Sequence, residues 1–166
     1  MDSRTILAEL PRLRRYARAM VGDRAVADDL VQDTLERGWS RVAQWRPGSD
    51  LRAWLFGIMH NLRVDQLRRQ GLNTQPLDDA ESEAPIRATQ SDRLEVNDLA
   101  AALARLPEEQ RAVLLLVALE EMSYDEIAST LGIPVGTVMS RLSRGRERLR
   151  LSLDGRHPAA HLRVVR

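Results

Sequence analysis

Ser123-Tyr124-Asp125-Glu126-Ile127-Ala128-Ser129-Thr130-Leu131-Gly132-Ile133-Pro134-Val135-Gly136-Thr137-Val138 decides how this chain is read. Ser123 and Glu126, three residues apart, form a capping box that starts a helix. Ile127, Ala128 and Leu131 fall on one apolar face of it. Gly132 can take the left-handed backbone that ends a helix, Ile133 follows as a core plug, and Pro134 opens the next helix. Helix, tight glycine turn, helix is the helix-turn-helix pattern. In the second helix Val135, Val138, Leu142, Gly145 and Leu149 lie on one side, and Thr137, Arg141, Arg144 and Arg148 on another, with Ser140 beside them. The first side packs. The second offers hydroxyls that permit close approach and arginines that bond guanine through two contacts or hold phosphates, which suits the DNA major groove.

Upstream, Leu99-Ala100-Ala101-Ala102-Leu103-Ala104-Arg105-Leu106 reads as a short helix, and Pro107-Glu108-Glu109 starts another. Proline in the first turn and acids near the N-terminus are the expected start signals. That helix runs from Arg111 through Leu119, apolar nearly all round, and should be central to its unit. Residues 71–93, GLNTQPLDDAESEAPIRATQSDR, hold two prolines, many small polar residues and no apolar stripe, and read as a flexible linker.

Two further amphipathic segments precede the linker. Over residues 26–39 the positions Ala27, Leu30, Val31, Thr34, Leu35 and Trp39 form a core stripe. Asp29, Gln32, Asp33 and Glu36 gather opposite, either as solvated surface or as a docking face for a basic partner helix. Over residues 51–69, Leu51, Trp54, Leu55, Ile58, Met59 and Leu62 share a face, with Arg63, Arg68 and Arg69 toward the far end. Between the two lies Trp45-Arg46-Pro47-Gly48-Ser49-Asp50, where proline and glycine break the helix. A tryptophan with flanking arginines can hold an unstacked base, and it can equally cap the core.

The fold class is therefore all-α, as two small helical domains joined by a linker, the second carrying the helix-turn-helix. The expected boundaries are 1–70, linker 71–93, 94–152, and a C-terminal tail 153–166. The 166 residues include no cysteine, which excludes disulfide scaffolds, thiolate metal sites and cysteine nucleophiles. No secretory signal is visible and no apolar run approaches the roughly 20 residues of a membrane span, so a soluble cytoplasmic protein is expected.

Net charge is +1, yet the charge is segregated. Residues 1–70 carry 13 arginines and 9 acids, net +4; residues 71–93 carry 2 and 5, net −3. Residues 94–131 carry 2 and 8, net −6; residues 132–166 carry 8 and 2, net +6. Two basic zones separated by an acidic middle suggest two contacts with a polyanion. All 25 basic residues are arginine, which reflects either GC-rich codons or arginine's forked contacts to phosphate and guanine.

The run LPEEQRAVLLLVALEEMSYDEIASTLGIPVGTVMSRLSRGRERLR resembles region 4 of extracytoplasmic-function (ECF) sigma factors. DDLVQDTLERGW and LRAWLFGIMHNLRVDQLRR resemble region 2 of the same family, in the same order. The resemblance implies a subunit without catalysis of its own that binds core RNA polymerase and directs promoter recognition, melting and initiation for a stress or envelope response. It places Asp29, Gln32, Asp33 and Glu36 against the β′ clamp helices. It gives Trp45, Arg46, Arg52, Asn61, Arg63 and Arg68 to the minus-10 element, with capture of a flipped base. It puts Thr137, Ser140, Arg141, Arg144 and Arg148 in the minus-35 major groove, with a β-flap contact from the same region. It also implies an anti-sigma factor as partner and no cofactor or metal. The compact class lacks the middle region and the autoinhibitory N-terminal segment of larger sigma factors, and its acidic linker threads near the polymerase channel. Met139, Gly145 and His60 stand where the family commonly has lysine, alanine and alanine.

Two other functions compete. A stand-alone helix-turn-helix regulator would need a ligand pocket, receiver or dimerisation helix, and none is evident. A metal-dependent nuclease could draw on Asp28, Asp29 and Asp33, or on His157 and His161, but Pro158 breaks the helix that would align the two histidines.

Overall fold

The computed structural model describes residues 2–71 and 91–155, with side chains from residue 95 onward in the second stretch. The linker acids Asp78, Asp79, Glu81 and Glu83, and the pair His157 and His161, lie outside the described residues. Within them the chain forms α-helices and no strand: α1 (Ser3–Leu7), α2 (Leu10–Val21), α3 (Arg24–Ser40), α4 (Leu51–Gly71), α5 (Ser91–Ala104), α6 (Glu108–Glu120), α7 (Tyr124–Leu131) and α8 (Val135–Gly155). A 3-10 turn, Val42–Gln44, links α3 to the loop before α4.

Local chemistry sets the helix boundaries. Asp23 caps α3 by accepting from the Val26 N–H at 3.1 Å. Asp50 does the same for α4, accepting from Ala53 N–H at 3.3 Å. At α7 both halves of the capping box form: the Glu126 N–H reaches Ser123 Oγ at 3.1 Å, and Ser123 N–H reaches Glu126 Oε2 at 3.2 Å. Gly132 ends α7 with φ of +67°, as the helix-turn-helix requires.

The segment before residue 24 carries a helix that the sequence reading passed over. Pro11 sits in the first turn of α2, and Leu13, Tyr16, Ala17 and Met20 are buried along one side. Their i, i+3, i+4, i+7 spacing is an ordinary amphipathic signal, masked by four arginines in the same twelve residues. α5 likewise begins earlier than residue 99, at Ser91.

α2, α3 and α4 pack as one unit, and α6, α7 and α8 as the other, with α5 against both α8 and α2. The units face each other through α2 against α6 and α4 against α7, and a continuous apolar core runs through both. Tyr16 meets Phe56 edge-on, with ring centroids 5.0 Å apart. Trp39 departs from the expected core stripe and is 48% exposed. It lies in the last turn of α3, where the neighbouring position Gly38 turns inward instead. A Cβ on Gly38 would stand 2.9 Å from Leu55 Cδ2, so any larger residue there would have to displace the buried Leu55 side chain.

α6 runs through the middle, but it is not simply apolar. Arg111 is buried and its guanidinium is fully engaged. It donates to the carbonyls of Leu103, Ala104 and Leu106 at the end of α5, at 2.7, 3.0 and 2.7 Å. It also donates to the Met20 carbonyl at the end of α2 and to Glu108 Oε2 at 3.1 Å. Burial pulls the Arg111 pKa down from its ordinary value, and the Glu108 carboxylate opposes that shift. Arg111→Met is expected to lower stability by roughly 3 kcal/mol or more, because several buried carbonyls lose their donor together. Urea unfolding of the full chain checks this, and Arg111→Lys should recover only part of the loss.

Candidate nucleic-acid interface

The second helix of the helix-turn-helix divides as its sequence indicates. Val138, Leu142 and Gly145 are buried, and Val135 and Leu149 are half-buried. Arg144 and Arg148 are exposed on the other side with Ser140, whose hydroxyl donates to the Thr137 carbonyl at 3.2 Å. Thr137 is half-buried. Arg141 is turned toward α6, where its guanidinium lies 3.7 Å from Glu109 Oε2. Arg150, nine residues further on, is occupied by Glu147 at 2.7 Å and Asp154 at 3.0 Å. The exposed arginines of α8 outside any ion pair among the described residues are therefore Arg144, Arg146 and Arg148, with Arg144 and Arg148 on the side of Ser140.

Gly145 has a packing reason. A Cβ there would lie 3.3 Å from Gln110 Cβ and 3.5 Å from the Gln110 carbonyl oxygen. The glycine lets α8 cross α6 at close range, which offsets its poor helix propensity of about 1 kcal/mol against alanine. Met139, half exposed at 51%, contributes an apolar surface beside the basic one.

In the N-terminal unit, Asp29, Gln32, Asp33 and Glu36 form one exposed stripe on α3, with Gln32 Nε2 donating to Glu36 Oε1 at 3.3 Å. The opposite face buries Ala27, Leu30, Val31 and Thr34, whose hydroxyl donates to the Leu30 carbonyl at 2.7 Å. The stripe is thus held rigidly outward.

The six residues expected at the minus-10 element do not share one surface. Arg46, Asn61 and Arg68 are exposed. Trp45 is half-buried and packs against the core, with its indole N–H buried and lacking a hydrogen-bond partner. Gly48 turns the loop with φ of +89°, and Ser49 fastens it to the Arg46 carbonyl through both its N–H and its hydroxyl. Arg52 and Arg63 point into the other unit. Arg52 donates to the Glu120 carbonyl at 2.9 Å and lies 3.8 Å from Glu120 Oε2. Arg63 meets Glu108 Oε1 at 2.6 Å. Between the units lies a cleft of 360 Å³ with an apolar floor that includes Tyr16, Met20 and Met59 and a rim of His60, Arg63, Arg68 and Glu108. Burial and the Arg141 guanidinium hold His60 below its ordinary pKa, against the pull of Glu108 and Glu109.

Sequence reasoning missed the acids that engage these arginines. Glu108 reads from sequence as a helix-start charge and Glu120 carries no signal of its own, and only the meeting of the units reveals their partners. Among the described residues no three histidines, aspartates or glutamates are grouped as a metal site, so Asp28, Asp29 and Asp33 form none. No described helix is long and apolar enough to cross a membrane.

Comparison with known proteins covers both units in order. The family model for the sigma-2 domain of PhyR matches residues 6–60, and that for sigma-70 region 4 matches residues 97–149. The ECF RNA polymerase sigma factor EcfG of Rhodopseudomonas palustris is 38% identical over 153 residues, spanning 90% of this chain and 84% of that protein. The sigma factor RpoE of Bartonella quintana, solved with the anti-sigma factor NepR, superposes with a TM-score of 0.74 at 34% identity, covering 91% of this chain and 95% of its own. CnrH, solved with the cytosolic domain of CnrY, gives a TM-score of 0.68 at 29% identity, covering 93% and 90%.

The α6–α8 crossing is directly testable. Gly145→Leu is expected to destabilise the chain by roughly 1–3 kcal/mol, overpacking outweighing the gain in helix propensity. The shift of the urea midpoint at constant slope measures it.

Proposed function

Because the chain belongs to the ECF family of RNA polymerase sigma factors and directs transcription initiation, we propose that its two units divide the promoter between them. Residues 1–70 act as region 2, residues 94–152 as region 4, with 71–93 as the linker and 153–166 as a tail. The observation that carries this division is that one chain displays a rigid acidic stripe on α3 and, separately, a basic helix-turn-helix face on α8.

The acidic stripe of Asp29, Gln32, Asp33 and Glu36 docks on the basic side of the β′ clamp helices of core RNA polymerase. Complementary charge there governs encounter and register more than raw affinity. Arg144 and Arg148 hold minus-35 phosphates, while Thr137, Ser140 and Arg141 face base edges, once Arg141 exchanges Glu109 for guanine. Region 4 also meets the β flap. Trp45, Arg46, Arg52, Asn61, Arg63 and Arg68 serve the minus-10 element. Its melted strand carries bases that an aromatic face can stack on and phosphates that arginine can hold. Trp45 leaves the core to reach such a base, a move its unsatisfied indole N–H makes less costly. An anti-sigma factor restrains the free chain, as NepR and CnrY accompany the solved relatives. A stand-alone helix-turn-helix regulator is not favoured, because the likeness extends over α1–α4 as well as α5–α8.

Run-off transcription on pooled genomic promoter fragments tests the reading, with transcripts expected only when core polymerase and this protein are both present. Sequence-specific binding by the protein alone, without such transcripts, would overturn it. Asp33→Arg should weaken competition for core polymerase by about tenfold or more through charge reversal at the docking face. Arg144→Ala should weaken promoter binding uniformly across sequences and flatten its salt dependence by about one unit of slope. Arg141→Ala should instead relax minus-35 discrimination by roughly 1–3 kcal/mol.

A further inference from the structure

One helix of the C-terminal unit holds two of the arginines that the proposed function gives to DNA. α6 presents Glu108 in its first turn and Glu120 at its end, about 18 Å apart along the axis. Glu108 takes Arg63 at 2.6 Å. Glu120, with its side chain 1% exposed, is ringed by Arg15 at 3.3 Å, Arg52 at 3.8 Å and Arg12 at 3.9 Å. Arg52 also donates to the Glu120 carbonyl, and Arg15 to the Leu119 carbonyl at 2.7 Å. Terminal carbonyls carry the negative end of the helix dipole, and a carboxylate presents two charged oxygens much as a phosphate does. The two ends of α6 thus offer Arg52 and Arg63 the kind of partner that a nucleic-acid backbone offers.

The same contacts are held against opposing terms. Glu120 is removed from water, yet its Oε2 has no hydrogen-bond partner. That oxygen has the Arg52 and Arg12 guanidinium groups at 3.8 and 3.9 Å, close enough for charge pairing but too far for a hydrogen bond. Glu121, next along the chain, has φ of +52°, and it is the one non-glycine residue with positive φ among those described. Such backbone strain is retained where the surrounding structure enforces it. Across the interface, Gly57 of α4 faces α7 so closely that a Cβ would stand 3.2 Å from the Thr130 carbonyl oxygen. The two units therefore close tightly through contacts that leave polar and backbone terms unsatisfied.

We propose that Glu108 and Glu120 are internal decoys for DNA phosphates, occupying Arg63 and Arg52 in the closed chain and releasing them only when the units separate. This rests on the assignment of those two arginines to the minus-10 contact. The acids and the nucleic acid compete for the same guanidinium groups, so the closed chain meets single-stranded DNA with Arg46, Asn61 and Arg68 but without Arg52 and Arg63. Arg12 and Arg15, on α2, hold Glu120 in place.

The absence of cysteine makes the test direct. Ser40→Cys on α3 and Ser143→Cys on α8 carry a donor and an acceptor dye, and energy transfer between them reports separation of the units in the full chain. A short fluorescent single-stranded DNA reports binding by anisotropy. Two openings are compared: Glu108→Gln with Glu120→Gln, and Gly57→Ala, which wedges α4 from α7 while leaving every charge in place. Both are expected to lower energy transfer and to tighten DNA binding roughly tenfold, as the competent fraction rises. Adding Arg52→Ala with Arg63→Ala should abolish that gain in either background. Energy transfer unchanged in both openings overturns the proposal, as does lowered transfer with DNA affinity unchanged. Tightening in the glutamine pair alone marks a general loss of negative charge and also overturns it. A gain that survives removal of the two arginines assigns the contact elsewhere and overturns the decoy, while promoter-specific run-off transcription by the unaltered chain would still uphold the sigma-factor reading.

Discussion

Arg111 directs its donors to the buried C-terminal ends of two helices, α5 and α2. The carbonyls of Leu103, Ala104 and Leu106 close α5, and the carbonyl of Met20 closes α2. Helix C-termini leave four carbonyls without intrahelical donors, and buried ones must find donors elsewhere. A single guanidinium meets that need for both helices, and Glu108 fixes its orientation from the preceding turn of α6. The position of α6 between the units follows from this junction. So do the distances at which Glu108 can reach Arg63 and Glu120 can reach Arg52.

That junction makes the surface of the molecule uneven in function. The α3 stripe and the outer side of α8 face solvent whichever way the units are arranged, because each is opposite the apolar side that anchors its own helix. On α4, Arg52 and Arg63 reach across to the other unit, while Arg46 in the loop before it and Asn61 and Arg68 along it stay exposed. The acidic stripe and Arg144 and Arg148 are thus exposed in the closed arrangement, whereas Arg52 and Arg63 are engaged across it.

Much of this was legible in the chain itself. The capping box of Ser123 and Glu126, the turn at Gly132 and the apolar side through Val138 and Leu142 all form as read. The α3 stripe also stands where its spacing puts it. α2 escaped because four arginines hide a regular buried face, though Leu13, Tyr16, Ala17 and Met20 carry the signal. Trp39 was misplaced because helical spacing gives the direction of a side chain without saying where the covering helix ends; α4 reaches Gly38 and leaves Trp39 exposed. Gly145, read as a departure from a family preference, is a contact residue whose missing Cβ makes room for α6.

The sequence by itself determined the helices, their caps, the helix-turn-helix and the two outward charged faces, since each rests on residues within one or two turns of each other. Only the tertiary structure decided the fate of Arg52, Arg63, Arg111, Glu108 and Glu120. Their partners are distant in the chain: Arg63 and Glu108 are 45 residues apart, and Arg52 and Glu120 are 68. A charge read from sequence has a sign but no partner, and at 3 to 4 Å the partner decides whether it serves solvent, DNA or the other half of the same molecule.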